Sequence, residues 1–239
     1  MPYKLGSRNG LLIGRFQPFH LGHLHVLHYP LRSVDKLWIG IGSSNKSNEK
    51  ENPFSVDERR EMITSSLLED SEILDLELQS DGSLKDDDWT IKIFNIPDVD
   101  NHEKWTFEID KIVPAYDVVY TGDKFTKTLF EKRQIRVHTT FPSLYDSRLG
   151  ISSDEDEQVW NTKRQRWWGE AIGVPQITYD NWKASLHLPE PEWWEDREKF
   201  SGTNIRELIA DDKNWQDLVP RGTRNVLEKI NAIERLKNL

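Results

Sequence analysis

The chain has 239 residues, and its hydrophobic content of 36% supplies enough apolar material for one sizeable core. A formal charge of −9 argues against a general nucleic-acid binder, which would carry a basic face, though not against a small anion in a local pocket. Zero cysteine excludes disulfides and thiolate metal sites, and no stretch approaches the roughly 18 apolar residues of a membrane span.

In chain order, MPYKLGSRNG lacks the apolar stretch of a signal peptide, so a soluble cytoplasmic protein is expected. Leu11-Leu12-Ile13 is a short buried strand ending at Gly14. Leu21 to Tyr29 reads as a helix stopped near Pro30, and Lys36 to Ile41 as a second strand. A polar loop leads to a helix from Val56 to Leu68. Trp89 to Ile96 alternates as a third strand, and Glu103 to Ile112 is helical. Tyr116 to Tyr120 and Ile135 to His138 are strands flanking a helix from Lys124 to Lys132. SGTNIRELIADD starts with a good cap and continues as a helix. A last helix places Val226, Leu227, Ile230, Ile233 and Leu236 on one face.

Strands alternating with helices predict an α/β fold: a Rossmann-like parallel sheet with helices on both faces, followed by C-terminal helices. Ligands in such folds sit at the carboxyl ends of the strands, where Gly14, Gly42 and YTGD from Tyr120 all fall. The rhythm breaks between about 140 and 199, where six of the ten tryptophans cluster beside an acidic run, Asp154 to Glu157. One domain over 1–239 is expected, with a Trp-rich insertion at about 140–199.

Four of seven histidines, His20, His23, His25 and His28, crowd into nine positions after the first strand. Zinc, a phosphate-handling turn and chance are the candidates. The i,i+3 spacing puts pairs on one helix face, but no acidic residue within the segment completes a three-ligand metal site. His25 and His28 suit a partly exposed helix face. His20 and His23 sit where a strand gives way to a helix, beside Gly14, Pro18 and Gly22. A helix N-terminus presents free N–H groups and a positive dipole end, and imidazoles there can donate to a phosphate. Gly22 lets a ligand approach the backbone.

GRFQPFHLGH, Gly14 to His23, resembles the H-x-G-H signature of the nucleotidyltransferase superfamily. Its longer form resembles the archaeal-type nicotinamide-nucleotide adenylyltransferases. IGSSNKSNEKENPFSVDERR (Ile41 to Arg60), IPDVDNHEKW (Ile96 to Trp105) and YDVVYTGD (Tyr116 to Asp123) are similar to further segments of that family. SGTNIR, Ser201 to Arg206, resembles its S-x-T-x-x-R signature, and the C-terminal tail is similar too. The resemblance covers about residues 10–138 and 200–239.

The resemblance implies transfer of AMP from ATP to nicotinamide mononucleotide, giving NAD and pyrophosphate. It places His20, His23 and Arg206 on the ATP phosphates as the catalytic set, with Gly14, Arg15, Phe16, Gly22, Gly122, Asp123, Ser201 and Thr203 as further ATP contacts. Asn101, His102 and Trp105 fall to the nicotinamide side, where an indole face suits a cationic ring. Mg²⁺ is expected as the counterion of ATP with no protein ligand, and a homo-oligomer is implied. The sequence departs from the family at His102 and Asp123, where asparagine is usual, and at the insertion. A Nudix box is echoed at Arg166 to Val174, but Trp167 and Ala171 stand where its carboxylates belong. Two alternatives stay open: transfer of AMP or CMP to another phosphate acceptor such as FMN or phosphopantetheine, and a nucleotide-binding regulator without turnover.

Overall fold

A computed structural model describes residues 8–70, 73, 90–139 and 200–239. The insertion at 140–199 and Trp89 lie outside the described residues. Five parallel strands form one sheet: β1 (Asn9–Gly14), β2 (Lys36–Ile41), β3 (Ile91–Asn95), β4 (Val118–Thr121) and β5 (Arg136–Thr139), in the order β3-β2-β1-β4-β5. β1 is central; Leu11 lies opposite Trp38 of β2 on one side and Val119 of β4 on the other.

Alternation along each strand divides the core into two layers, as the period of two requires. Leu12, Leu37, Ile39, Ile41, Val118 and Tyr120 face one cluster. Leu11, Ile13, Trp38 and Val119 face the other. Helices α1 (Leu21–Ser33) and α2 (Val56–Leu67) contribute Leu27, Met62 and Ile63 to the first layer. Helices α3 (His102–Ile112) and α4 (Lys124–Lys132) contribute Trp105, Ile109, Leu129 and Phe130 to the second. The expected doubly covered parallel sheet is present.

Two helix boundaries differ from the sequence reading. Helix α1 runs through Pro30 and ends at Ser33. Proline forfeits one N–H, but the Pro30 carbonyl still accepts from Val34 at 3.0 Å, and buried Leu27 and Leu31 hold the last turn on the sheet. The C-terminal stretch is not one helix. Helix α5 (Gly202–Ala210) is followed by a short 3₁₀ turn, then α6 (Arg221–Lys229) and α7 (Ala232–Lys237). Asn231 separates the last two with φ 51°, a left-handed conformation that stops a helix.

These C-terminal helices join the first layer through α2. A side chain on Gly222 would strike the backbone of Ser65 and Ser66 at 2.5 Å, so the glycine permits close approach. Ser66 and Thr223 share a buried hydroxyl contact at 3.1 Å. Arg235 on α7 forms a two-bond fork to Glu58 at 2.7 and 2.8 Å, and Glu58 itself closes the capping box of α2 with Ser55. No helix among the described residues is long and apolar enough to cross a membrane.

Candidate active site

The chain runs from β1 outward to β2 and β3, then returns to lay β4 on the other side of β1. That reversal opens a crevice at the carboxyl ends of β1 and β4, the usual ligand position in such sheets. The segment after β1 crosses it. Phe16 takes φ 53° with its ring buried, and Gln17–Pro18 is a cis peptide. The buried Gln17 amide pairs with Phe54, donating to its carbonyl and accepting from its N–H, both at 3.0 Å. The turn after β1 is thereby fastened to the loop preceding α2.

His20 is the N-cap of α1 and is buried. Its ring stacks on His23 with centroids 3.6 Å apart, and Phe16 and Phe19 pack against the other sides of His23. Desolvation holds His20 well below the usual imidazole range, and the neighbouring His23 lowers it further. His23 keeps some accessible surface, yet enclosure by these rings lowers its pKa from 6.5 to about 3. Both rings are therefore neutral at physiological pH. His23 Nδ1 accepts from the His20 backbone N–H at 3.3 Å, which leaves the proton of the neutral ring on Nε2 as a donor. Among the described residues, none bonds the buried His20 Nδ1. His25 and His28 also fall on α1, but their side chains lie outside the described set.

A second helix N-terminus meets the first. Ser201 caps α5, accepting from the Asn204 N–H at 3.1 Å. A side chain on Gly202 would lie 2.8 Å from the Gln17 carbonyl, and one on Gly22 would lie 3.1 Å from the His20 ring and 3.2 Å from Phe200. The two glycines let α1 and α5 converge. Arg206 is buried one turn into α5; its Nη1 donates to the Gln17 carbonyl at 2.8 Å and its Nη2 to the Thr203 hydroxyl at 3.3 Å. Desolvation lowers its pKa, and the nearby positive charge of Arg15 acts in the same direction. Arg15 itself is exposed. Two positive helix ends, neutral imidazole donors and forked cations gathered in one crevice make an anion site suited to a polyphosphate.

The description of the cytidylyltransferase-like family matches residues 11–208 of this sequence. The chain belongs to the cytidylyltransferase-like family. Nicotinamide-nucleotide adenylyltransferase from Methanococcus aeolicus is 28% identical, covering 96% of this chain and 93% of that protein. Nicotinic acid mononucleotide adenylyltransferase from Plasmodium falciparum, solved with NaAD, shares the fold at a TM-score of 0.52, with 13% identity over 96% of this chain and 98% of that one. A bifunctional NMN adenylyltransferase/ADP ribose pyrophosphatase from Francisella tularensis gives 19% identity and a TM-score of 0.43; 98% of this chain spans 55% of that one.

In this cytidylyltransferase-like chain the remaining candidates lie on other elements. Asn101 and Asp123 cap α3 and α4, accepting from the N–H groups of Lys104 at 3.0 Å and Thr126 at 2.6 Å. An acid at Asp123 thus has a helix to cap, and Gly122 beside it is exposed at the end of β4. His102 is exposed, with its ring edge-on to Phe125. Trp105 belongs to the second core layer; its indole N–H donates to the Pro97 carbonyl at 3.1 Å. Lys46 pairs with Asp98 at 3.2 Å, and Ser43 and Asn45 also bond Asp98, bracing the loop after β2 against the loop after β3.

Two contributors went unassigned in the sequence reading. One is Gln17, described above. The other is Arg59, fully buried in α2, whose guanidinium donates to the carbonyls of Arg15 (2.8 Å), Gly42 (2.7 Å), Ser43 (3.1 Å) and Ser55 (3.2 Å). Burial lowers its pKa to about 10, helped by repulsion from Arg15, so it stays charged at neutral pH. The available signal was helical spacing: Arg59 shares a face with Met62, Ile63 and Ser66, an apolar stripe on which a charged residue needs a reason.

Proposed function

We propose that this protein is a nicotinamide-nucleotide adenylyltransferase, transferring AMP from ATP to nicotinamide mononucleotide. The observation that carries the reading is the convergence of α1 and α5, which brings His20, His23 and Arg206 to one crevice although the sequence holds them far apart. The acceptor is assigned from the M. aeolicus relative, whose similarity runs through 96% of this chain.

A phosphate oxygen of the mononucleotide attacks the α-phosphorus of ATP. A new P–O bond forms, the bond to the bridging oxygen breaks, and pyrophosphate leaves with that electron pair. The acceptor supplies its own nucleophile, so the protein aligns two anions and stabilises growing charge. The neutral His23 donates from Nε2, and His20 stands beside it at the helix N-terminus. Arg206 meets the β- and γ-phosphates from the opposite helix, with Ser201 and Thr203 at the same turn. Arg15 closes the site from the exposed side, and Gly14, Phe16 and Gly22 shape the turn the phosphates follow. Gly122 and Asp123 face the nucleoside end. Mg²⁺ is expected to arrive as the counterion of ATP, held mainly by phosphate and water. Asn101, His102 and Trp105 line the acceptor side, and the protein acts as a homo-oligomer in the cytoplasm.

The test is incubation with Mg²⁺, ATP and, separately, nicotinamide mononucleotide, nicotinate mononucleotide, FMN and phosphopantetheine, following pyrophosphate release and product mass. NAD should form with the first acceptor. Pyrophosphate release with FMN or phosphopantetheine alone would replace the proposed acceptor, and tight ATP binding without turnover on any of them would make the protein a regulator.

A further inference from the structure

The cations of this site crowd one another. Arg206 is enclosed, with 10% of its side chain accessible, and Arg15 repels both it and Arg59. Among the described residues one carboxylate pairs with Arg206: Oε2 of Glu51, 3.9 Å from Nη2. Glu51 belongs to a tight turn closed by two backbone bonds between Glu49 and Asn52, at 3.2 and 2.9 Å. The turn fixes its backbone beside the site, while 67% of its side chain remains accessible. A long, solvated ion pair of this kind is exchangeable and contributes little to stability.

At 3.9 Å the carboxylate makes no hydrogen bond to Nη2, which donates to the Thr203 hydroxyl, but its charge lies beside the guanidinium that an incoming phosphate would seek. We propose that Glu51 is a built-in competitor for Arg206: it holds the guanidinium when no polyphosphate is bound, is displaced by one, and returns to Arg206 as pyrophosphate leaves. The chemistry it opposes is that of a multiply charged phosphate chain, so the uncharged and aromatic parts of either substrate are indifferent to it. The effect is to weaken retention of the leaving group and so to favour turnover over product trapping. This deepens the assignment above and rests on Arg206 meeting a polyphosphate.

The experiment is calorimetric titration of the full chain with inorganic pyrophosphate in the presence of Mg²⁺, using Glu51→Gln, Arg206→Met and the double variant. Glu51→Gln should bind pyrophosphate roughly twofold to fivefold more tightly, the span of an exposed ion pair. In the Arg206→Met background the same change should leave affinity unaltered, because the competitor has lost its target. Unchanged affinity of Glu51→Gln, with Arg206→Met weakened, overturns the competitor role and leaves the polyphosphate site standing. Equal tightening in both backgrounds assigns the effect to net charge and also overturns it. Wild-type affinity in a folded Arg206→Met overturns the site reading itself. Glu51 is exposed, so its variant retains the fold; if Arg206→Met melts below the assay temperature, Arg206→Lys takes its place in the cycle, and there the Glu51→Gln effect should shrink as the fork is lost.

Discussion

The guanidinium of Arg206 donates to the main-chain carbonyl of Gln17 at 2.8 Å, across 189 positions of sequence. That single bond, together with the absence of a side chain at Gly202, sets how close α5 comes to the turn after β1. In Gly202→Ala the new Cβ would sit 2.8 Å from the same carbonyl, a backbone atom that cannot swing away. The helix must retreat, at a cost of about 1–3 kcal/mol in overpacking. We expect kcat/KM for ATP to drop at least about tenfold while the protein still unfolds cooperatively. Unaltered kinetics would mean that α5 is not held where the bond implies.

His23→Ala should lower turnover by about 10²-fold, on the order of 3 kcal/mol, with a smaller loss of ATP affinity. The reason is that a donor at this turn acts mainly on charge developing at phosphorus. Steady-state rates alongside equilibrium ATP binding decide it, and turnover within threefold of wild type would remove His23 from the chemistry.

The same residue carries a pH signature. Its pKa is lowered from 6.5 to about 3 in the folded protein by burial, so between those values the unfolded chain takes up a proton that the native one refuses. Stability from this source is complete above about pH 7 and is lost as pH falls from 6.5 toward 3. Urea unfolding at several pH values in that window should show a steeper decline for wild type than for His23→Asn. Parallel declines would show that His23 does not titrate as its surroundings demand.

Arg59→Met should destabilise by about 3–5 kcal/mol, because the carbonyls of Arg15 and Gly42 lose the guanidinium as donor and those of Ser43 and Ser55 keep only a backbone N–H. Arg59→Lys keeps the charge but not the fork and should recover only part of this. Equilibrium denaturation ranks the three proteins. A lysine variant as stable as wild type would reduce the role of Arg59 to charge alone.

Trp105 sits in the core, so Trp105→Ala should cost about 3–5 kcal/mol of stability and cannot by itself report on a ligand. Trp105→Phe retains an aromatic ring and gives up the bond to Pro97. If the indole stacks on nicotinamide, this variant should bind the mononucleotide more weakly and ATP as before. Equal affinities for both ligands would leave Trp105 a packing residue.

Much of this was legible in the sequence, for physical reasons that differ by element. Short apolar runs such as Leu11 to Ile13 and Val118 to Tyr120 can be satisfied only inside a sheet, and the helix after Ser201 carried a clear cap; the caps at Ser55 and Asp123 emerged only with the structure. Pro30 misled because its penalty, a lost hydrogen bond plus ring crowding of about 3 kcal/mol, is offset by the burial of Leu27 and Leu31. The break at Asn231 was hidden by a face that stays apolar on both sides of it. At the candidate site, His20 and His23 were picked out by their local setting and Arg206 by the resemblance of SGTNIR to a family signature. Gln17 and Arg59 did not, since their partners are backbone carbonyls and N–H groups, which no residue type advertises. The Glu51–Arg206 pair is likewise a matter of three-dimensional meeting alone.

The arrangement of α5 against the first turn also has a consequence for how the protein is made. The five strands of the described residues precede residue 140, whereas Ser201, Thr203 and Arg206 follow residue 200, and the Arg235 fork that clasps the cap of α2 comes later still. On a ribosome, the sheet and its histidine turn can emerge well before their opposing helix is translated. The sheet side of the crevice is therefore translated before the helix side that faces it, so the turn after β1 must wait for its partner.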